Sequence, residues 1–93
     1  MTATATLKHF GVVYSISVSD PEGLTQAKSE IWRLFEQEVA NPNPRRFFLV
    51  VDGNAFPIKT EEEYDFWVVY VEEYQPERQA LGKVVTITVL ADS

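Results

Sequence analysis

The chain has 93 residues, a net charge of −6 and a pI near 4.6, with 45% hydrophobic and 13% aromatic residues. That suffices for one packed domain (1–93) with a single modest core, and is too apolar for a disordered tail. The acidic balance argues against nucleic acid and anionic membranes as partners and makes a basic protein surface the natural complement; the lack of cysteine excludes a disulfide framework, a thiolate metal site and a cysteine nucleophile.

A cysteine-free chain suits a reducing, cytoplasmic setting. The N-terminus "MTATATLKHF" has neither a basic leader nor an apolar core segment, so no signal peptide is expected. No uninterrupted apolar run approaches the roughly 18 residues that span a bilayer.

Residues 7–19, "LKHFGVVYSISVS", are strand formers. Val12, Tyr14, Ile16 and Val18 alternate with Val13, Ser15, Ser17 and Ser19, the pattern of a half-buried strand. Gly11 interrupts the run, either as a hairpin turn between two strands or as a bulge in one. "SDPEG" then opens a helix: Ser19 or Asp20 caps it, Pro21 suits its first turn, and Glu22 complements the positive end of its dipole. Leu24, Ala27, Ile31, Leu34 and Phe35 recur at helical spacing and are expected in the core. Two prolines in "NPNP" end the helix.

"RRFFLVVDGNAFPI" reads as a hairpin with strands at 47–51 and 55–58, the "DGN" between them supplying positive φ. Thr60 caps a second helix, with Glu63 at the reciprocal capping-box position. Phe66, Trp67, Tyr70, Val71 and Tyr74 follow at helical spacing as core candidates, and Pro76 is expected to end the helix. Not every aromatic fits inside so small a core, so a partly exposed Tyr74 or Trp32 would mark a contact surface. "KVVTITVLA" is a last strand, with Val85, Ile87 and Val89 on one face and Thr86 and Thr88 on the other. The order is ββαββαβ, a ubiquitin-like β-grasp, if Gly11 makes a hairpin; without it, βαββαβ is ferredoxin-like. Both are α+β.

Little in the chain points to catalysis. His9 is the single histidine. Ser15, Ser17 and Ser19 lie on a polar strand face without a base nearby in sequence. The glycines are isolated, so no phosphate loop is present. "DGN…TEEEYD" lacks the alternating oxygens and closing glutamate of a calcium loop. The expectation is a non-enzyme without metal or cofactor. A ferredoxin-like RNA binder would need sheet aromatics within a basic surface, whereas this sheet offers serine and threonine. Capping explains part of the acid in Glu61, Glu62 and Glu63; together with Asp52 and Asp65 it exceeds what a helix start requires.

The stretch "FFLVVDGNAFPIKTEEEYDFWVVYV" resembles the second half of PB1 domains, β-grasp modules of signalling and selective-autophagy scaffolds. Asp52-Gly53 matches the family's acid-Gly turn, Thr60 its helix cap, and Glu61, Glu62 and Glu63 its distal acids. "TLKHF" is similar to the family's first strand, with Lys8 at its basic position, and "YSISVSDPEG" to its second strand and helix start. Val50, Val51 and Asn54 replace acids, and "VVYSISV" lacks a basic pair, so both charged faces are thinner than in typical members. The resemblance implies a mixed sheet with two helices packed on it. It also implies pairing between an acidic face (Asp52, Glu61, Glu62, Glu63, Asp65) and the basic face of another PB1-like domain. Lys8, helped by Lys28, Arg45 and Arg46, is the expected opposite pole. A domain with both faces chains head to tail into a homo-oligomer; one with a single face stops at a dimer. The alternative function is a small acidic inhibitor that masks a basic groove by charge mimicry.

Overall fold

The computed structural model describes residues 10–92. Lys8, His9 and the segment "TLKH" of the expected first strand lie outside the described residues. Six elements follow one another there: β1 (Phe10–Val18), α1 (Pro21–Val39), β2 (Phe47–Val51), β3 (Asn54–Ile58), α2 (Glu61–Ala80) and β4 (Val85–Asp92). The protein is α+β, with one four-stranded sheet in the order β1-β4-β2-β3.

All three described strand pairings are antiparallel, so the expected mixed sheet is not formed among these strands. The reason is topological. Each helix crossover joins two strands that point the same way, but an antiparallel strand lies between them. β4 separates β1 from β2, and β2 separates β3 from β4. α1 packs against β1 and α2, and α2 against β3 and α1. The helices therefore lie side by side on one sheet face.

β1 resolves the question at Gly11. The strand continues through it, with Gly11 opposite Ala91, and no hairpin forms there. The irregularity falls two residues later: Val12 opposes Leu90 and Tyr14 opposes Val89, leaving Val13 as an inserted residue. One inserted residue reverses the side-chain phase. Phe10 and Val12 thus lie on the open face of the sheet, while Tyr14, Ile16 and Val18 face the helices. Phe10 packs edge-on against Phe48, their ring centroids 5.1 Å apart.

α1 starts as its sequence predicts. The Asp20 carboxylate accepts the Gly23 N–H at 2.7 Å and Pro21 fills the first turn. Leu24, Ala27, Ile31 and Phe35 are buried, and Leu34 packs at the edge of the core. α2 has the full capping box: the Thr60 side chain accepts the Glu63 N–H, and Glu63 accepts the Thr60 N–H.

Two expectations for α2 are corrected. The helix does not stop at Pro76 but runs on to Ala80. Pro76 and Glu72 are both exposed, and a helix carbonyl that loses its N–H partner is tolerated at such a solvent-facing position. The stop is Gly82, at φ 72°. Its N–H donates to the Gln79 carbonyl and the Lys83 N–H to that of Arg78, both at 2.9 Å, which is a Schellman closure. The second correction is Phe66, expected in the core but 68% exposed. Tyr64, Trp67, Val71 and Gln75 form the inner face instead.

The core joins these residues to those of α1 and to Phe47, Leu49, Val51, Ile58, Val85, Ile87, Val89 and Ala91 of the sheet. Trp67 is fully buried at its centre. Trp32 and Tyr74 are both partly exposed, Trp32 packing against Phe35 and Tyr64.

Candidate functional site

The five acids singled out in the sequence do not form one patch. Asp52 and Gly53 have φ of 47° and 91°, the two positive values that a tight I′-type hairpin requires. β3 is extended, so it carries the chain about 16 Å from this turn before α2 begins. α2 then runs back and brings Tyr74 to the turn, where its hydroxyl donates to Asp52 Oδ2 at 2.8 Å. Asp52 Oδ1 accepts the Thr86 N–H at 2.9 Å. Asp52 thus locks the hairpin to β4 and to the C-terminal half of α2, far from the three glutamates. Its carboxylate also holds the Tyr74 phenol above its usual pKa range by accepting that hydrogen bond.

Glu63 is likewise occupied. Its Oε1 accepts the N–H groups of Lys59 (2.7 Å) and Thr60 (3.1 Å). Glu61, Glu62 and Asp65 remain exposed, with no hydrogen bond or ion pair among the described residues. At 100° per residue, Glu62 lies on the helix face opposite the core together with Phe66, Val69 and Glu73. Glu61 and Asp65 turn toward α1. Asp65, with Glu72, adds to burial in pushing the Tyr64 hydroxyl up to about 12.

Phe66 and Val69, 68% and 57% exposed, stand in the middle of this acidic stripe. Helical spacing assigned Phe66 to the core. The cue that locates it is the phase set by Tyr64, which lies one turn after the Thr60 cap and is buried. The flank toward β3 is an aromatic ladder: Phe56 and Tyr70 at 4.8 Å, Tyr70 stacked on Tyr74 at 5.5 Å, and the Arg78 guanidinium 5.2 Å above the Tyr74 ring.

The expected basic pole is largely neutralised within the chain. Lys28 pairs with Glu72. Arg45 donates to Glu38 through Nε (3.3 Å) and Nη2 (3.1 Å), and its backbone N–H reaches the same carboxylate at 2.6 Å. These bonds hold the Glu38 carboxyl below its usual range despite its burial. Arg46 chelates one oxygen of Asp92 (3.1 and 3.0 Å) and lies 5.2 Å above the Phe10 ring. Arg45 and Arg46 do come together, at a cleft of about 330 Å³ that Lys59 also lines. Lys28 is elsewhere, on the α1–α2 seam.

No group of three His, Cys, Asp or Glu side chains arranged to hold a metal ion occurs among the described residues. No described helix is long and apolar enough to cross a membrane. The chain matches no family model, no curated protein and no solved structure.

Proposed function

We propose that this chain is a protein–protein interaction module, not an enzyme, that docks a basic partner through the outer face of α2. The observation that carries this reading is the exposure of Phe66 and Val69 among Glu62, Asp65 and Glu73. An apolar centre within a charged rim is the usual anatomy of a specific interface: the centre supplies affinity, and the rim supplies register and on-rate. A capped helix on a packed sheet is a rigid mount for both.

The PB1 resemblance supplies the finer reading, a cytoplasmic module whose partner is the basic face of another PB1-like domain. Support for it lies in the acid-Gly turn, the Thr60 cap and the following acids, in that order along the chain. The internal pairing of Lys28, Arg45 and Arg46 favours a one-faced module over a head-to-tail chain former. It equally suits charge mimicry, the second reading, in which the acids mask a basic groove and Phe66 is dispensable.

The test is fluorescence anisotropy with a labelled amphipathic lysine–leucine helical peptide as probe. Reversal of Glu61 and Glu62 to lysine is expected to weaken binding by about tenfold or more, and added salt to weaken it further. Reversal of Glu22 and Glu36 on α1 changes net charge equally and is expected to have little effect. Equal losses from both double reversals would show that the probe reads net charge alone, and the docking reading would fail.

A further inference from the structure

We infer that the cleft between the end of α1 and the start of the β2–β3 hairpin binds a small amphipathic organic carboxylate, its hydrocarbon body inside and its carboxylate at the rim. This goes beyond the docking role of α2 and uses none of its residues.

The cleft encloses about 330 Å³, within the range of small-molecule sites, and its walls are Phe35, Val39, Pro44, Phe47 and Ile58. Val39 is 62% exposed on the last turn of α1, an apolar wall open to solvent. Three cations line the same cleft: Arg45, Arg46 and Lys59. Arg45 and Arg46 are each ion-paired within the chain, with Glu38 and Asp92, so Lys59 supplies the positive charge that is not already balanced among the described residues.

The site is built rather than incidental. Glu38, a buried carboxylate on α1, takes the backbone N–H and the guanidinium of Arg45. That fixes the loop after α1 as one wall and neutralises the only acid lining the cleft among the described residues. Arg45 and Arg46 use Nε and Nη2 on their internal partners, leaving Nη1 of each without a partner among the described residues. The Lys59 ammonium has no carboxylate partner among the described residues. A carboxylate at the rim gains charge-assisted hydrogen bonds from these donors, and an apolar body covers Val39 and Phe47.

Decanoate serves as the probe, followed by two-dimensional NMR and calorimetry on the whole chain. Saturable one-to-one binding is expected, with shifts confined to residues of α1's last turns, the 44–47 segment and 58–59. Lys59→Glu is expected to weaken it about tenfold, and Val39→Glu similarly. Decanol, which lacks the charge, and inorganic phosphate, which lacks the body, are each expected to bind at least tenfold more weakly. The inference is overturned if decanoate does not saturate, if Lys59→Glu leaves its affinity unchanged, or if phosphate binds as well. Lys59 is exposed, so its substitution leaves the fold intact. Peptide binding to α2 is read separately, so either reading can fail without the other.

Discussion

The Tyr74 hydroxyl donates to Asp52 Oδ2 at 2.8 Å, tying the β2–β3 turn to the helix that begins a whole strand later. The other carboxylate oxygen holds the Thr86 N–H of β4. One acid thus joins three elements, and its role is structural. Asp52→Ala is expected to destabilise the fold by about 2 kcal/mol and Tyr74→Phe by less, because the first loses both hydrogen bonds to the carboxylate and the second only one. Urea unfolding measures both. Neither change is expected to alter peptide binding; loss of binding with the fold intact would return Asp52 to the interface.

Pro76 removes an N–H from the interior of α2 and Gly82 ends the helix with positive φ. Pro76→Ala restores the bond to the Glu72 carbonyl and is expected to stabilise by about 1–2 kcal/mol, after the entropy regained by the unfolded chain is set against it. Gly82→Ala meets no steric obstacle, since nothing lies within 4 Å of the added carbon, yet is expected to cost about 1 kcal/mol through left-handed strain alone. Thermal unfolding distinguishes the two by the sign of the Tm change.

Glu38 couples stability to acid. Its hydrogen bonds from Arg45 lower its folded pKa below the unfolded value. A depressed carboxyl contributes stability that is fully present above the unfolded pKa and lost as pH falls through the folded one. Stability is therefore expected to decline on the acid side of glutamate's ordinary range, and Glu38→Gln to flatten that decline while lowering stability at neutral pH. Urea midpoints across acid pH, compared between the two proteins, check this.

Gln75 is 1% exposed, and its Oε1 has no hydrogen-bond partner among the described residues while its Nε2 donates to Gln79 at 3.2 Å. Leaving a buried acceptor unpaired costs about 1–3 kcal/mol, more than one exchangeable amide bond returns. Gln75→Met keeps the volume and removes the orphan. It is expected to raise Tm by about 4–8 °C, corresponding to about 1 kcal/mol for a domain of this size. A lower Tm would show that the amide contributes more than its unpaired oxygen costs.

Much of the fold was legible because local chemistry decided it. Asp20 and Thr60 cap where their side chains reach back to the third N–H, and Asp52-Gly53 turns where positive φ is needed. Gly82 was equally readable but was hidden behind Pro76, a helix breaker tolerated where its missing N–H faces water. The candidate site was less legible, because sequence adjacency hides extension. Asp52 and Glu61 are nine positions apart, yet an intervening strand puts them at opposite ends of α2. The bulge at Val13 reverses one end of β1, which alternation alone does not reveal. The pairing of Arg45 with Glu38 and of Arg46 with Asp92 depends on tertiary contacts, as does the approach of Lys59 to both arginines.

The docking claim rests on an apolar centre on α2, so its most direct test is the affinity of the labelled lysine–leucine peptide for Phe66→Ser against wild type. Phe66 is exposed, and the substitution should leave the circular dichroism spectrum and Tm nearly unchanged. The account predicts a loss of about tenfold or more, with the salt dependence preserved because the acidic rim is intact. Undiminished affinity in the serine variant would contradict it and leave the acids of α2 as a charged surface without an interface.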